Sequence, residues 1–358
     1  MEWRNYRANN FNIVNGTGYL YASKYGTTLI FTGVPYSGDG DVTLTKTEGE
    51  GIDFPGWNLV GNPFAETAYI LDCRSFYTMN GEGSEIIAAT DNSIAPMEGV
   101  FVIATEDGEI MNFTTTEPQN GDGKGLVLNL SKSASTGSAT RGGIIDRAIV
   151  RFDEDRMLPK FQIRENSTKI YIPMDGTDYA VVNVGRDGVH TVSTMTGVNE
   201  LPVNFKADRN GTYTLSFNTE NVEFSYLHLI DNLTGNDVDL LSAGDCGAAP
   251  AMTAEGTSYT FEAKTTDYAS RFRLVFATKG ANDDNETFAF YTNGNWIIAN
   301  PSTGSGSATL QVIDITGRIL SSETVNGSVS KSINQPAGVY MIRLINGETV
   351  RTQKVVVK

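Results

Sequence analysis

Only two imidazoles occur in the 358 residues, His190 and His228. Either could act as the base of a hydrolase, but no G-x-S-x-G turn accompanies them to supply a nucleophile. His228 falls inside the apolar run YLHLI and reads as a strand residue with one ring nitrogen satisfied. Glycoside hydrolysis needs two carboxylates facing each other across a sugar. Acidic residues abound here, but nothing in their spacing selects a pair, and they read as solvated surface groups. A calcium ion needs several oxygens on a tight loop. Asp231, Asn236, Asp237 and Asp239, around Gly235, offer them, and so does Asp283-Asp284-Asn285-Glu286. Neither has EF-hand spacing. The first set is carried as a weak candidate cation site, set against an Asx-rich turn whose side chains cap the local backbone.

Sugars stack on exposed tryptophan faces. The tryptophans are Trp3, Trp57 and Trp296. Trp57 sits among apolar neighbours in GWNLVGNPF and Trp296 alternates with Ile298, so both read as core. The Gly-rich pieces GEGSE and GDGKG lack the phosphate-loop and dinucleotide patterns and read as turns. Cys73 and Cys246 have no Cys or His partner at zinc spacing. They read as two buried thiols, with a single long-range disulfide as the alternative. No catalytic residue and no cofactor is assigned, and the chain is expected not to be an enzyme.

The elements that would position these residues are strands. No sustained i, i+3, i+4, i+7 apolar pattern is present. Asn-Gly occurs seven times, beginning at Asn15, Asn80, Asn120, Asn210, Asn293, Asn326 and Asn346. Both residues tolerate positive φ, which suits type I′ hairpin turns. The clearest hairpin is VYMIRLI, then Asn346-Gly347, then ETVRTQKVVV. Its first strand places Tyr340, Ile342 and Leu344 on one face and Arg343 on the other. A second is expected across Thr316-Gly317. Strands are predicted upstream at GYLYAS, TTLIFTGV, VTLTKT, GWNLVGNPF, SFYTMN, GVFVIAT and MNFTTT. Further on they are predicted at LVLNLS, RAIVRF, KIYIPM, YAVVNVG, GTYTLSF, FSYLHLI, SYTFEAK and FRLVFAT. Seven or eight per segment is a sandwich or jelly-roll number.

Polar, glycine-bearing stretches at 117–125 and 278–286 read as exposed connectors. They predict an all-β chain of tandem β-sandwich or jelly-roll-like domains over 1–118 and 124–278, followed by a small domain over 286–358. The formal net charge of −15 repels phosphate backbones and argues against nucleic acid. Residues 281–358 hold six basic and six acidic residues, so the excess negative charge lies upstream of a neutral end module. No apolar run is long enough to span a membrane, and MEWRNYRANNFNI lacks the apolar centre of a signal peptide.

The end module resembles the type A C-terminal sorting domain of type IX secretion cargo from Bacteroidota-type bacteria. The resemblance rests on Asn300-Pro301 after an aromatic-rich strand, then ATLQVIDITGRIL with Gly317. It continues through Pro336-Ala337-Gly338-Val339-Tyr340 and ends on Lys354, Val355, Val356, Val357 and Lys358. The usual Tyr-Pro-Asn-Pro opening is reduced to Ile-Ala-Asn-Pro, residues 298–301. The resemblance implies a small immunoglobulin-like β-sandwich that takes cargo through the periplasm and across the outer membrane. It implies the type IX translocon and its sortase-like protease as partners, and surface lipopolysaccharide after cleavage. GTGYLYAS, GWNLVGNPF, APMEGVFVIAT and LHLIDNLTGNDVDLL resemble regions that precede such tails in large surface proteins. That likeness implies a stalk or spacer. The alternatives are an adhesin module holding a glycan or host protein, and an accessory part of a surface glycosidase or peptidase.

Overall fold

The computed structural model describes residues 11–26, 28–49, 53–72, 74–80, 83–118, 123–132, 143–152, 157–164, 166–184, 192–193, 199–241, 257–278, 289–293, 296–300, 307–326, 329–346 and 349–357. The regular elements among them are strands, with no helix, and the fold is all-β. The chain folds as two compact units. One is Met1–Arg186 with Asn204–Asn221 and Met252–Ala269, and the other is Asp187–Val203 with Val222–Ala251 and Ser270–Lys358.

The first unit opens with β1 (Asp41–Thr43), β2 (Trp57–Gly61), β3 (Ala68–Ile70), β4 (Tyr77–Met79), β5 (Ile86–Ala88), β6 (Ser93–Ile94), β7 (Gly99–Ile103) and β8 (Ile110–Thr114). They form two four-stranded sheets, ordered β1-β8-β3-β6 and β2-β7-β4-β5. Ala68, Ile70, Met111 and Phe113 of one sheet share a core with Val60, Val100 and Val102 of the other. The alternation along β7 explains what comes next. Val100 and Val102 face this core, so Phe101 between them faces the other way, and it is buried too.

Phe101 packs in a second cluster with Trp57, Tyr77 and Ala88, and with Val127, Ile149, Leu158, Phe161, Ala180 and Val181. The later residues come from the next group of strands. These are β9 (Gly125–Lys132), β10 (Ile144–Arg151), β11 (Leu158–Pro159), β12 (Lys169–Met174), β13 (Thr177–Asn183), β14 (Val192–Ser193), β15 (Asn199–Lys206), β16 (Gly211–Glu220), β17 (Phe224–Asp231), β18 (Asn236–Asp239), β19 (Thr257–Ala263) and β20 (Phe272–Thr278). Within the first unit the order is β12-β13-β10-β9-β16-β19, with β11 also on β13. All pairs are antiparallel except β10 with β13, where Ile149 meets Val181. The connector 117–125 therefore joins strands whose apolar cores are continuous. Trp57 stacks on Phe161 with centroids 4.4 Å apart. Polar bonds reinforce the junction: Arg147 donates to the Ala88 carbonyl at 2.6 Å, and Arg151 donates to the Thr90 carbonyl at 2.8 Å.

In the second unit, β18, β17, β20 and residues 199–203 of β15 pair in that order, with β14 on β15. Buried Arg271 and Asp231, 1 % and 0 % exposed, form an ion pair with Nη2 to Oδ2 at 2.9 Å.

Two expected strands differ. GYLYAS and residues 28–34 of TTLIFTGV lie outside the regular elements, and Ile30 and Val34 are 84 % and 96 % exposed. A strand needs a neighbour for its backbone groups. Residues 16–18 find one: Gly18 N–H donates to the Leu59 carbonyl and Gly61 N–H donates to the Gly16 carbonyl. No helix among the described residues is long and apolar enough to cross a membrane.

Candidate functional site

The last module is built from β21 (Ala289–Asn293), β22 (Trp296–Asn300), β23 (Ser307–Asp314), β24 (Ile319–Asn326), β25 (Val329–Ser332), β26 (Gly338–Asn346) and β27 (Thr349–Val357). The three-stranded sheet β21-β22-β25 and the four-stranded sheet β24-β23-β26-β27 are antiparallel throughout. Ile297 of the first and Leu310, Val312, Tyr340, Ile342, Leu344, Val355 and Val357 of the second fill one core. That is a small sandwich. Fully burying a residue such as Ile342 or Leu344 contributes about 1.5–3 kcal/mol, so this short sequence can hold its own core.

The expected pairing of β26 with β27 forms, but the strand ends fall one residue later than expected: Asn346 is the last residue of β26 and pairs with Thr349. Period-two alternation then decides the chain end: Val355 and Val357 are buried, while Lys354 and Val356 are exposed. Tyr340 turns its hydroxyl back to donate to the Pro336 carbonyl at 2.8 Å. Gly338 lies beside that ring, and a Cβ there would sit 3.4 Å from it. Gly317 holds φ at +88° in the turn between β23 and β24, a conformation that favours glycine. Asn300 ends β22 opposite Ala289. Pro301 and Lys358 lie outside the described residues.

Asp314 is a residue that sequence reasoning missed. Its Oδ1 accepts from Thr316 N–H at 2.9 Å, Thr316 Oγ1 at 2.6 Å and Arg318 N–H at 3.0 Å. The Thr316 hydroxyl leads the bonds that pull its pKa down to about 2. The signal is present in the D-x-T-G-R spacing, an Asx-turn pattern.

The candidate cation ligands are not gathered around one point. Asp231 is engaged by Arg271, and its Oδ1 also accepts from Leu233 N–H at 3.0 Å. Asp237 Oδ1 shares a 2.7 Å hydrogen bond with His228 Nδ1, and Asp239 Oδ1 accepts from Leu241 N–H at 2.8 Å. Asn236 pairs with Asp231 across the β17–β18 ladder. Among the described residues no group of three or more His, Cys, Asp and Glu side chains could hold a metal. His228 is buried and stacked on Tyr226 at 4.2 Å. Trp57 is buried in the shared core. His190, Cys73, Cys246, Trp3 and the Asp283–Glu286 cluster lie outside the described residues, as does the side chain of Trp296.

Residues 292–358 match the family described as the secretion system C-terminal sorting domain. No curated protein matches the chain. The match begins six residues after the expected start at 286 and spans both sheets of the sandwich. The chain is a cargo protein of type IX secretion: its end module interacts with that machinery, and the protein is secreted or displayed at the cell surface.

Proposed function

We propose that the sandwich at 286–358 is a removable address and that residues 1–278 are a non-catalytic stalk or spacer. The outer-membrane translocon recognises the folded module. A sortase-like protease then cuts within about 277–287, and the remaining cargo is attached to surface lipopolysaccharide. One observation carries this reading. The matched segment has a core of its own, sealed by Tyr340, Val355 and Val357, so it can be read and removed without opening the cargo's cores.

A reporter fused to residues 281–358 tests it. The expected result is reporter at the surface of a competent host, without its tail. A Val355→Asp fusion, which places a charge in that core, is expected to stay in the periplasm. Retention of the unaltered fusion in the periplasm overturns the sorting role; export without cleavage overturns the removable address.

A second reading, an adhesive module, is favoured by the exposed apolar side chains Leu20, Tyr21, Tyr25, Ile30, Phe31 and Val34. Binding of residues 1–280 to a glycan array or host-protein panel, lost on Ile30→Lys with Phe31→Ser, would favour it over the stalk. Turnover by the same protein on glycoside and peptide substrate panels would overturn the non-catalytic part of the proposal.

A further inference from the structure

Lys160 and Asp146 form the most enclosed lysine–carboxylate contact among the described ion pairs, with side chains 4 % and 2 % exposed. Nζ lies 2.6 Å from both Oδ1 and Oδ2. Those two distances keep Nζ within about 3 Å of Cγ, inside the reach from which an amine can attack a carboxyl carbon.

Everything around the pair holds it still. The Tyr77 hydroxyl donates to the Pro159 carbonyl at 3.0 Å and accepts from Phe161 N–H at 3.0 Å, so one side chain grips the backbone on both sides of Lys160. Lys160 N–H donates to the Asp178 carbonyl at 2.7 Å. Asp146 Oδ2 accepts from Ile170 N–H at 2.8 Å. Phe161 is packed against Trp57, Phe54 and Phe101, with centroids 4.4, 5.0 and 5.1 Å away. An ammonium and a carboxylate removed from water cost more to keep charged than their attraction returns, unless further partners help. Here the ammonium has one carboxylate for its three donors. Burial accordingly pushes the lysine amine down and the Asp146 carboxyl up, both toward neutrality.

We propose that Lys160 and Asp146 become joined by an amide bond between Nζ and Cγ, linking β10 covalently to the residue that follows β11. The step balances within the pair. The ammonium gives one proton to the carboxylate, leaving a neutral amine and a carboxylic acid. The amine lone pair attacks Cγ, the Nζ–Cγ bond forms and the Cγ–OH bond breaks. A second proton from nitrogen leaves with the hydroxyl, so one water is released. Nothing is oxidised or reduced and no co-reactant is needed. A dry core favours this direction because it expels the water and removes two buried charges. For a surface protein the link would lock part of the sheet against local opening.

Mass spectrometry of the folded full chain tests the proposal. The expected intact mass is lower than the sequence mass by one water. Tryptic cleavage after Lys160 should be lost, giving a branched peptide of residues 142–147 and 157–164. The branched peptide is decisive, because Asp-Gly steps such as Asp175-Gly176 can also lose one water as a succinimide. Lys160→Arg keeps the cation but not the nucleophilic amine; it is expected to give no branched peptide while folding by circular dichroism. Folded wild-type chain that yields Asp146 and Lys160 in separate linear peptides overturns the proposal and leaves a buried ion pair.

Discussion

Charged residues in this protein are informative chiefly where they are buried. Arg271 lies across from Asp231 in a pocket that excludes solvent from both. The guanidinium fork places Nη2 2.9 Å and Nε 3.2 and 3.3 Å from the carboxylate oxygens. Removing one partner of such a pair leaves a buried charge with its desolvation uncompensated. Arg271→Met is expected to lower stability by about 3–5 kcal/mol, measured by urea denaturation. The double change Arg271→Met with Asp231→Leu should recover much of that loss, because the uncompensated charge goes with it. Neither residue was legible in the sequence as half of a pair. Forty positions separate them, and only the antiparallel register of β17 on β20 closes that distance.

At the scale of the element, the turns were the most readable feature. The Thr316-Gly317 turn appears where its dipeptide indicates, with Gly317 at positive φ, and β26 and β27 pair on either side of the Asn346-Gly347 dipeptide. The Thr316-Gly317 turn also has a titratable lock in Asp314. Its folded pKa of about 2 lies below the ordinary 3.8, because the ionised form accepts four local hydrogen bonds, from Thr316 Oγ1 and N–H and from Arg318 N–H and Nε. A depressed pKa means that the ionised form is the stabilising one. The contribution is complete above pH 3.8 and is lost as pH falls through about 2. An NMR titration of the Asp314 carboxyl should show its midpoint near pH 2, and a midpoint at 3.8 would mean that the turn does not hold the carboxylate. Residues 28–34 of TTLIFTGV depart from their expected strand for a physical reason. Apolar β-branched residues mark a segment that can join a sheet, but the sheet has to offer a free ladder at the right place.

For the molecule as a whole, the join at 117–125 matters most. Phe161 touches Trp57 and Phe101 from one side of that connector and sits in a cluster with Val127 and Ile149 from the other. Phe161→Ala is expected to cost about 3–5 kcal/mol through the cavity it leaves. Calorimetry should show the sheets on both sides of the connector losing stability together. A drop confined to one side would mean that they are energetically separate despite the shared cluster. The end module is a contrast, since its apolar cluster has no member in common with the others among the described residues.

Composition, periodicity and turn dipeptides by themselves determined that the chain is all-β. Together with the ordered motifs near the end, they marked the sorting module, because these signals are local in the sequence. Gly317, Pro336, Gly338, Tyr340 and Val355 to Val357 could be named before any strand was placed. What only the tertiary structure decided is non-local. It showed that Phe101 and Phe161 close one core across a polar connector and that Asp231 pairs with Arg271. It also brought Asp146 and Lys160 into contact inside the first unit. Such partners are chosen by strand register and sheet stacking. A shift of one residue would turn the strand members, Phe101, Asp146 and Asp231, to the opposite face.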